Sequence, residues 1–287
     1  MNKTQIEWVK NPDGTQGYTF NPITGCLNHD NGMCRGGNFP CYAYKLAHGR
    51  LKNRYLAQSV YENRSPDEAT SPIYKGISSL DPFYPRFWPE RLENFKDFLF
   101  SSQWRRYTSP VGVFVCDMAD LFGIGVPKSW TEEVLQVIRD AEPHSSHRFY
   151  LLTKQPQNLP KFSPFPDNCW VGVTGTNYQK VTDACGWLDN IQAKVKYISI
   201  EPLLSWNEKI NTSAIVNWIS DINWLIIGAQ TRPTVYPNFE WAEEIAKAAD
   251  QAGIPVFVKN NMNCCAISDY PKLLDGKGNL RQEMPNE

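Results

Sequence analysis

Six short apolar runs, each continuous rather than alternating, limit what this chain can fold into. They are Val111–Val115, Phe149–Leu152, Trp170–Val173, Tyr197–Ile200, Trp224–Ile227 and Pro255–Val258. A strand with one face in water alternates apolar and polar residues, whereas a strand covered on both faces does not. The runs therefore predict parallel strands with helices packed on either side. Helix-like stretches lie between them. One opens at Ser129, read as an N-cap with Glu132 three residues on. Another spans about Phe239 to Ala252 and stops at Gly253. Weaker helical patterns cover Gln179–Ile191 and Thr212–Ile219.

Two further strands are expected, around Tyr18-Thr19-Phe20 and between Phe83 and Trp88. About eight strands alternating with helices predict a parallel β/α barrel of the TIM type, complete or nearly complete. An open doubly wound sheet is the alternative, but the Gly-rich dinucleotide fingerprint is missing. A length of 287 residues suits one such barrel. With no linker in view, residues 1–287 are read as a single domain. It carries a loop of special composition at about 21–45 and a loop and helix insertion at about 50–81.

The N-terminus has no apolar core of a secretory signal, and no segment approaches the roughly 18 apolar residues of a membrane span. A cytoplasmic protein with no membrane partner is expected. The eight cysteines are then thiols or metal ligands rather than disulfides. Cys116, Cys169 and Cys185 are scattered and read as small buried hydrophobes. The formal net charge of −1 gives no overall basic field, so attraction to nucleic acid would need a local patch.

In a β/α barrel the chemistry sits at the C-terminal ends of the strands. The polar residues there are Asp117 and Asp120, Thr153 and Lys154, Thr174 and Thr176, Glu201, Gln230, and Lys259 with Asn261. Each has a plainer reading. Asp117 or Asp120 suits a helix cap, Lys154 a solvated surface cation, and Glu201 an ion pair with a neighbouring lysine.

The early strand is followed by a segment in which Cys26, Cys34 and Cys41 crowd together among Gly, Asn and Asp, a composition that predicts a flexible loop. Three thiolates can hold three irons of a [4Fe–4S] cluster and leave the fourth iron open. Zinc fits the same segment as a Cys3His site if His29 joins the three cysteines, in a non-enzymatic protein that binds nucleic acid. Spacing alone does not separate iron from zinc. A barrel hydrolase using Asp117, Asp120 and Glu201 is a third class, but it leaves the cysteines unexplained.

Several motifs together resemble a radical-SAM-like family of phage type. They are Asn21-Pro-Ile-Thr-Gly-Cys26, Cys41-Tyr-Ala43, Val115-Cys-Asp-Met-Ala-Asp-Leu-Phe122, Leu151-Leu-Thr-Lys154, Trp170-Val-Gly-Val-Thr174, Ser199-Ile-Glu-Pro-Leu-Leu204, Ile226-Ile-Gly-Ala-Gln-Thr231 and Val256-Phe-Val-Lys259. The resemblance implies a [4Fe–4S] cluster on Cys26, Cys34 and Cys41 that binds S-adenosylmethionine and cleaves it reductively to a 5′-deoxyadenosyl radical. It implies an electron donor such as flavodoxin or ferredoxin. Thr153, Lys154, Glu201 and Gln230 become candidate cofactor contacts, with Glu201 accepting from ammonium or ribose hydroxyls and Lys154 neutralising the carboxylate. Asp117, Asp120 and Lys259 become candidate catalytic residues. One departure stands out: the usual C-x3-C-x2-C loop is stretched here to C-x7-C-x6-C. The family leaves the substrate open. Tyr42, Tyr44, Arg50, Arg54 and Tyr55 mix aromatics with cations after the cluster segment, which suits a nucleic acid or nucleotide. A helix with an apolar face and a solvated basic face is the competing reading.

Overall fold

A computed structural model describes residues 1–58, 80–100, 109–142, 146–207 and 210–286. Within it the six apolar runs all become strands of one mostly parallel sheet. The strands are β1 (Asn2–Lys3), β2 (Tyr18–Phe20), β3 (Ile23–Thr24), β4 (His29–Asp30), β5 (Met33–Cys34), β6 (Phe39–Pro40), β7 (Arg86–Phe87), β8 (Gly112–Val115), β9 (Arg148–Thr153), β10 (Cys169–Thr174), β11 (Val195–Ile200), β12 (Trp224–Ile227) and β13 (Val256–Val258). Eight of them form the sheet, in the order β1-β2-β8-β9-β10-β11-β12-β13. The fold is thus mixed α/β. The helices are α1 (Tyr42–His48), α2 (Lys52–Ala57), α3 (Pro89–Phe100), α4 (Lys128–Ala141), α5 (Tyr178–Asp189), α6 (Thr212–Ile219) and α7 (Phe239–Ala252). The expected 50–81 insertion contains α2, and its residues 59–79 lie outside the described residues.

The chain divides into two compact units, residues 1–4 with 9–151, and residues 5–8 with 152–287. In the first, β2 runs parallel to β8 with Phe20 opposite Val115, and β8 runs parallel to β9. Phe20 stacks on Phe95 of α3 at 4.1 Å, which seats that helix on the sheet. The strand expected between Phe83 and Trp88 shrinks to Arg86–Phe87 and pairs antiparallel with β3, outside the main sheet. Pro85 and Pro89 bracket it and cannot donate to a ladder. The eighth place in the sheet is taken instead by Asn2–Lys3, antiparallel to β2.

The second unit is built of parallel strands β10 to β13 with α5, α6 and α7. Residues 5–8 belong to it because Trp8 is buried, with its ring 6.0 Å from that of Tyr197 and 6.1 Å from that of Trp224. Each of its three helices starts at an asparagine whose side chain accepts a backbone N–H: Asn177, Asn211 and Asn238. Helix α7 ends at Gly253 with φ 71°, as the glycine predicts. Ser129 does not cap α4. That helix starts one residue earlier, at Lys128 after Pro127, and Glu132 pairs with Lys128 at 3.1 Å instead.

β1 is the edge strand beside β2, and the C-terminal tail lies along β13. Val258 donates to the Arg281 carbonyl at 2.6 Å, and Val256 donates to the Glu283 carboxylate at 2.9 Å. Among the described residues, no helix is long and apolar enough to cross a membrane.

His147 ties the first unit to pH. Its Nδ1 accepts the Val111 N–H at 3.0 Å in a buried setting, and burial holds its pKa below the usual histidine value. A folded pKa below the unfolded one means the unfolded chain takes the proton first as pH falls. This contribution is intact above the unfolded value of about 6.5 and shrinks as pH drops below it. His147→Asn, which keeps an acceptor in reach of Val111, is expected to flatten that loss. Urea midpoints measured between about pH 7.5 and 5.5 test this; equal pH slopes in the two proteins would contradict it.

Candidate functional site

The three-cysteine segment is a small folded object rather than a flexible loop. Strands β4, β5 and β6 form an antiparallel sheet with His29 opposite Cys34 and Cys34 opposite Phe39. The turn between β4 and β5 is Asn31-Gly32, with φ 44° and 86°. Both values are positive, as a two-residue hairpin turn of this hand needs, and Asn-Gly is its favoured sequence. The dipeptide was the signal for a hairpin here. The hairpin also accounts for the stretched spacing, since the chain runs out and returns between Cys26 and Cys34.

Each cysteine is fixed by a different device. Cys26 follows Gly25, whose N–H donates to the Met118 carbonyl at 3.0 Å, and its own N–H donates to the Phe83 carbonyl at 2.9 Å. Cys34 is buried in β5. Cys41 is the N-cap of α1, and its Sγ accepts the Tyr44 N–H at 3.5 Å. Cys26 and Cys41 pack on one apolar cluster of Ala43, Ala47, Tyr55, Phe83, Trp88 and Met118. Burial pushes the Cys26 thiol up to about 12, with Asp120 and then the Cys34 and Cys41 thiols adding to the effect. Among the described residues, no three or more His, Cys, Asp or Glu side chains lie close enough together to hold a metal ion.

The donor chemistry suits a cluster. The sulfurs of Cys26 and Cys41 each accept a backbone N–H, from Asn28 at 3.3 Å and from Tyr44, and such bonds to sulfur tune iron–sulfur centres. His29 is packed beside Tyr44 and Phe83, and its Nδ1 accepts from Gly32 at 3.4 Å.

The turn after β8 adjoins this object. Asn21, at the end of β2, donates to Asp117 Oδ1 at 2.5 Å and accepts from the Met118 N–H at 2.9 Å. The Tyr42 hydroxyl donates to the Asp117 carbonyl. Burial raises the Asp117 pKa, and the hydrogen bond from Asn21 partly offsets it. Asp120 accepts from the Phe122 N–H at 3.1 Å, which is a turn role rather than the cap of α4. Cys116 holds φ 64°, a strained value for a residue with a side chain.

In the second unit, Glu201 at the end of β11 and Lys259 at the end of β13 form an ion pair at 2.6 Å. Ser199 donates to the other Glu201 oxygen at 3.1 Å, and Glu7 lies 3.8 Å from the Lys259 ammonium. Burial alone would lower the lysine pKa, but the two carboxylates outweigh it and hold it above the ordinary value. The ion-pair reading of Glu201 is thus the one observed. Nothing in the sequence around Glu7 marked it as Lys259's second partner; the burial of Trp8 delivers it. The side-chain oxygens of Thr174 and Thr176, at and just past the end of β10, are buried without a hydrogen-bond partner among the described residues. Thr153 is taken locally, accepting from the Gln155 N–H at 2.9 Å, and Lys154 is half-buried beside it. Gln230 donates to the Pro233 carbonyl at 3.4 Å. Cys116, Cys169 and Cys185 are buried thiols, as their scatter suggests.

No curated protein matches the chain. The model of one protein family covers it from residue 3 to residue 277. The chain therefore belongs to the family described as protein of unknown function, DUF5131.

Proposed function

We propose that this protein is a radical S-adenosylmethionine enzyme holding a [4Fe–4S] cluster on Cys26, Cys34 and Cys41. The observation that carries the reading is the three-thiol assembly itself. Three cysteines lie in one folded segment, Cys34 on a hairpin strand, Cys26 after a glycine-anchored turn and Cys41 at a helix N-cap, and the sulfurs of Cys26 and Cys41 accept backbone N–H groups. The segment follows β2 and is bonded to the turn after β8, at the C-terminal ends of two parallel strands. When bound, a cluster with an open iron supplies the electron that cleaves S-adenosylmethionine.

The chain's own residues have defined tasks in this reading. The Asn28 and Tyr44 N–H groups donate to the Cys26 and Cys41 sulfurs and orient them. Asn21 holds the Asp117 carboxyl in place, and Asp117 and Asp120 are the candidates to face substrate. In the second unit, Glu201 accepts from the ammonium or ribose hydroxyls of the cofactor, Lys154 neutralises its carboxylate, and Thr153 and Gln230 complete the set. Thr174 and Thr176 add two hydroxyls in want of a partner. Lys259 holds the Glu201 carboxylate in place.

The fold reading extends the same way: the sheet is the wall of a nearly complete β/α barrel. The strands β2 and β8 to β13 follow chain order without the reversal that defines a doubly wound sheet. The tail along β13 favours a wall that is incomplete over one that is closed.

Two experiments test the function. Anaerobic reconstitution is expected to give about four irons and about four sulfides per chain. The Cys26→Ala/Cys34→Ala/Cys41→Ala variant should lose them and His29→Ala should keep them. One zinc per chain, no iron, and loss of zinc in His29→Ala would establish the Cys3His site instead. For the cofactor set, Glu201→Gln and Lys154→Ala are each expected to weaken S-adenosylmethionine binding by about tenfold or more while iron content holds, since charge-assisted hydrogen bonds contribute about 1.5–3 kcal/mol. Calorimetry showing unchanged binding in both variants would remove this assignment.

A further inference from the structure

Between Asp30 and Glu62 the sequence contains no acidic residue, and it contains Arg35, Lys45, Arg50, Lys52 and Arg54. All five cations are exposed. None pairs with a carboxylate among the described residues, although other surface lysines do: Lys96 with Glu93, Lys128 with Glu132, Lys247 with Glu243 and Lys272 with Asp250. In a chain of net charge −1 this is a local concentration of positive charge. It falls just after β5 and on α1, the turn after α1, and α2, directly on and after the cysteine segment.

The aromatic residues in the same stretch divide sharply. Tyr55 is buried in the cluster beneath α1, and Tyr44 stacks on His48 at 3.9 Å. Tyr42 lies at the surface. It is 50% exposed, and its hydroxyl is tied down to the Asp117 carbonyl. Ala43 and Ala47 define the buried face of α1, so Tyr42 and Lys45, three residues apart, share the opposite side. A flat ring is thus held by its polar end against the turn that also bonds Gly25, with cations on the helix behind it.

From this we propose that α1, the turn after it and α2 dock a single-stranded nucleic acid, and that the docked strand is the substrate of the adjoining cysteine site. Phosphates meet the unpaired cations, and one unstacked base lies on the Tyr42 ring. Exposed cations with a fixed aromatic face are the elements by which proteins hold single strands, whereas a base within a duplex offers no free face to the ring. The docking claim stands on charge and exposure; the substrate claim rests on the cluster reading above.

Fluorescence anisotropy with labelled single-stranded DNA and RNA of about 20 nucleotides, from roughly 50 to 200 mM salt, tests it on the full reconstituted chain. Iron and sulfide are assayed on every sample. Wild type should bind with affinity that falls steeply with salt. Arg50→Glu/Lys52→Glu/Arg54→Glu should weaken binding by about tenfold or more and flatten the salt slope, by about 0.7 for each phosphate that is no longer neutralised. Lys161→Glu/Lys194→Glu/Lys277→Glu makes the same change in net charge elsewhere and should leave binding within about twofold of wild type. Tyr42→Ala should bind more weakly than wild type, and Tyr42→Phe, which keeps the ring but loses the bond to the Asp117 carbonyl, should fall between the two. Iron-loaded wild type that binds neither oligonucleotide, or equal losses in the two triple variants, would overturn the docking surface and leave the cluster reading standing. Phosphatidylserine vesicles that compete through Arg50, Lys52 and Arg54, with no effect of Tyr42→Ala, would overturn it in favour of a membrane surface. Oligonucleotide binding by a protein that takes up no iron would overturn the substrate claim together with the cluster reading.

Discussion

Gly25 has to be a glycine, and the placement of the cysteine segment depends on it. Its φ is 90°, and a Cβ there would lie 2.4 Å from the Tyr84 carbonyl oxygen and 2.6 Å from that of Phe83. With no side chain in the way, the backbone passes between the 83–84 segment and the turn after β8. It hydrogen-bonds on both sides, through Gly25 to Met118 and through Cys26 to Phe83. Cys26 is thereby locked to the end of the parallel sheet. The Asn31-Gly32 turn then returns Cys34, and the cap of α1 fixes Cys41. A side chain at position 25 would shift the first thiol and break the bond to the β8 turn together, so geometry and attachment are one constraint.

Much of this was legible in the residues, for physical reasons. The six continuous apolar runs became the strands because burial on both faces leaves no other pattern. Gly253 ended α7 because a left-handed residue there costs glycine little. Failures came where a short-range signal had a stronger competitor. The Phe83–Trp88 strand was cut down by its flanking prolines, and Ser129 was displaced as a cap once Pro127 set the start of α4. Asn, Asp and Gly between the cysteines looked like a flexible loop because turn formers are common to loops and hairpins. The adjacent Asn-Gly pair was the distinguishing mark. Glu7 could not be found at all, since its approach to Lys259 follows from tertiary burial of Trp8.

The polar groups sort by how fully they are already engaged. Asp120, Thr153 and Gln230 hold their own turns, and Glu201 is held by Lys259 and Ser199. An engaged carboxylate can still bind, but a ligand must match or displace the partner it finds. Among the described residues, the Thr174 and Thr176 oxygens have no such partner to displace, and the exposed cations of α1 and α2 pair with no carboxylate. Ligand binding gains most at groups left unsatisfied by folding, because forming the contact removes a cost instead of exchanging one bond for another.

The central claim is that three thiolates hold a cluster with one iron left open. Electron paramagnetic resonance of the reconstituted, reduced protein, with and without S-adenosylmethionine, addresses that open iron directly. The account predicts a reduced [4Fe–4S] signal whose g-values shift when S-adenosylmethionine is added, because its amino and carboxylate groups become ligands of the unique iron. A cluster signal that the cofactor leaves unmoved, or a protein with no iron signal under any reducing condition, would contradict it.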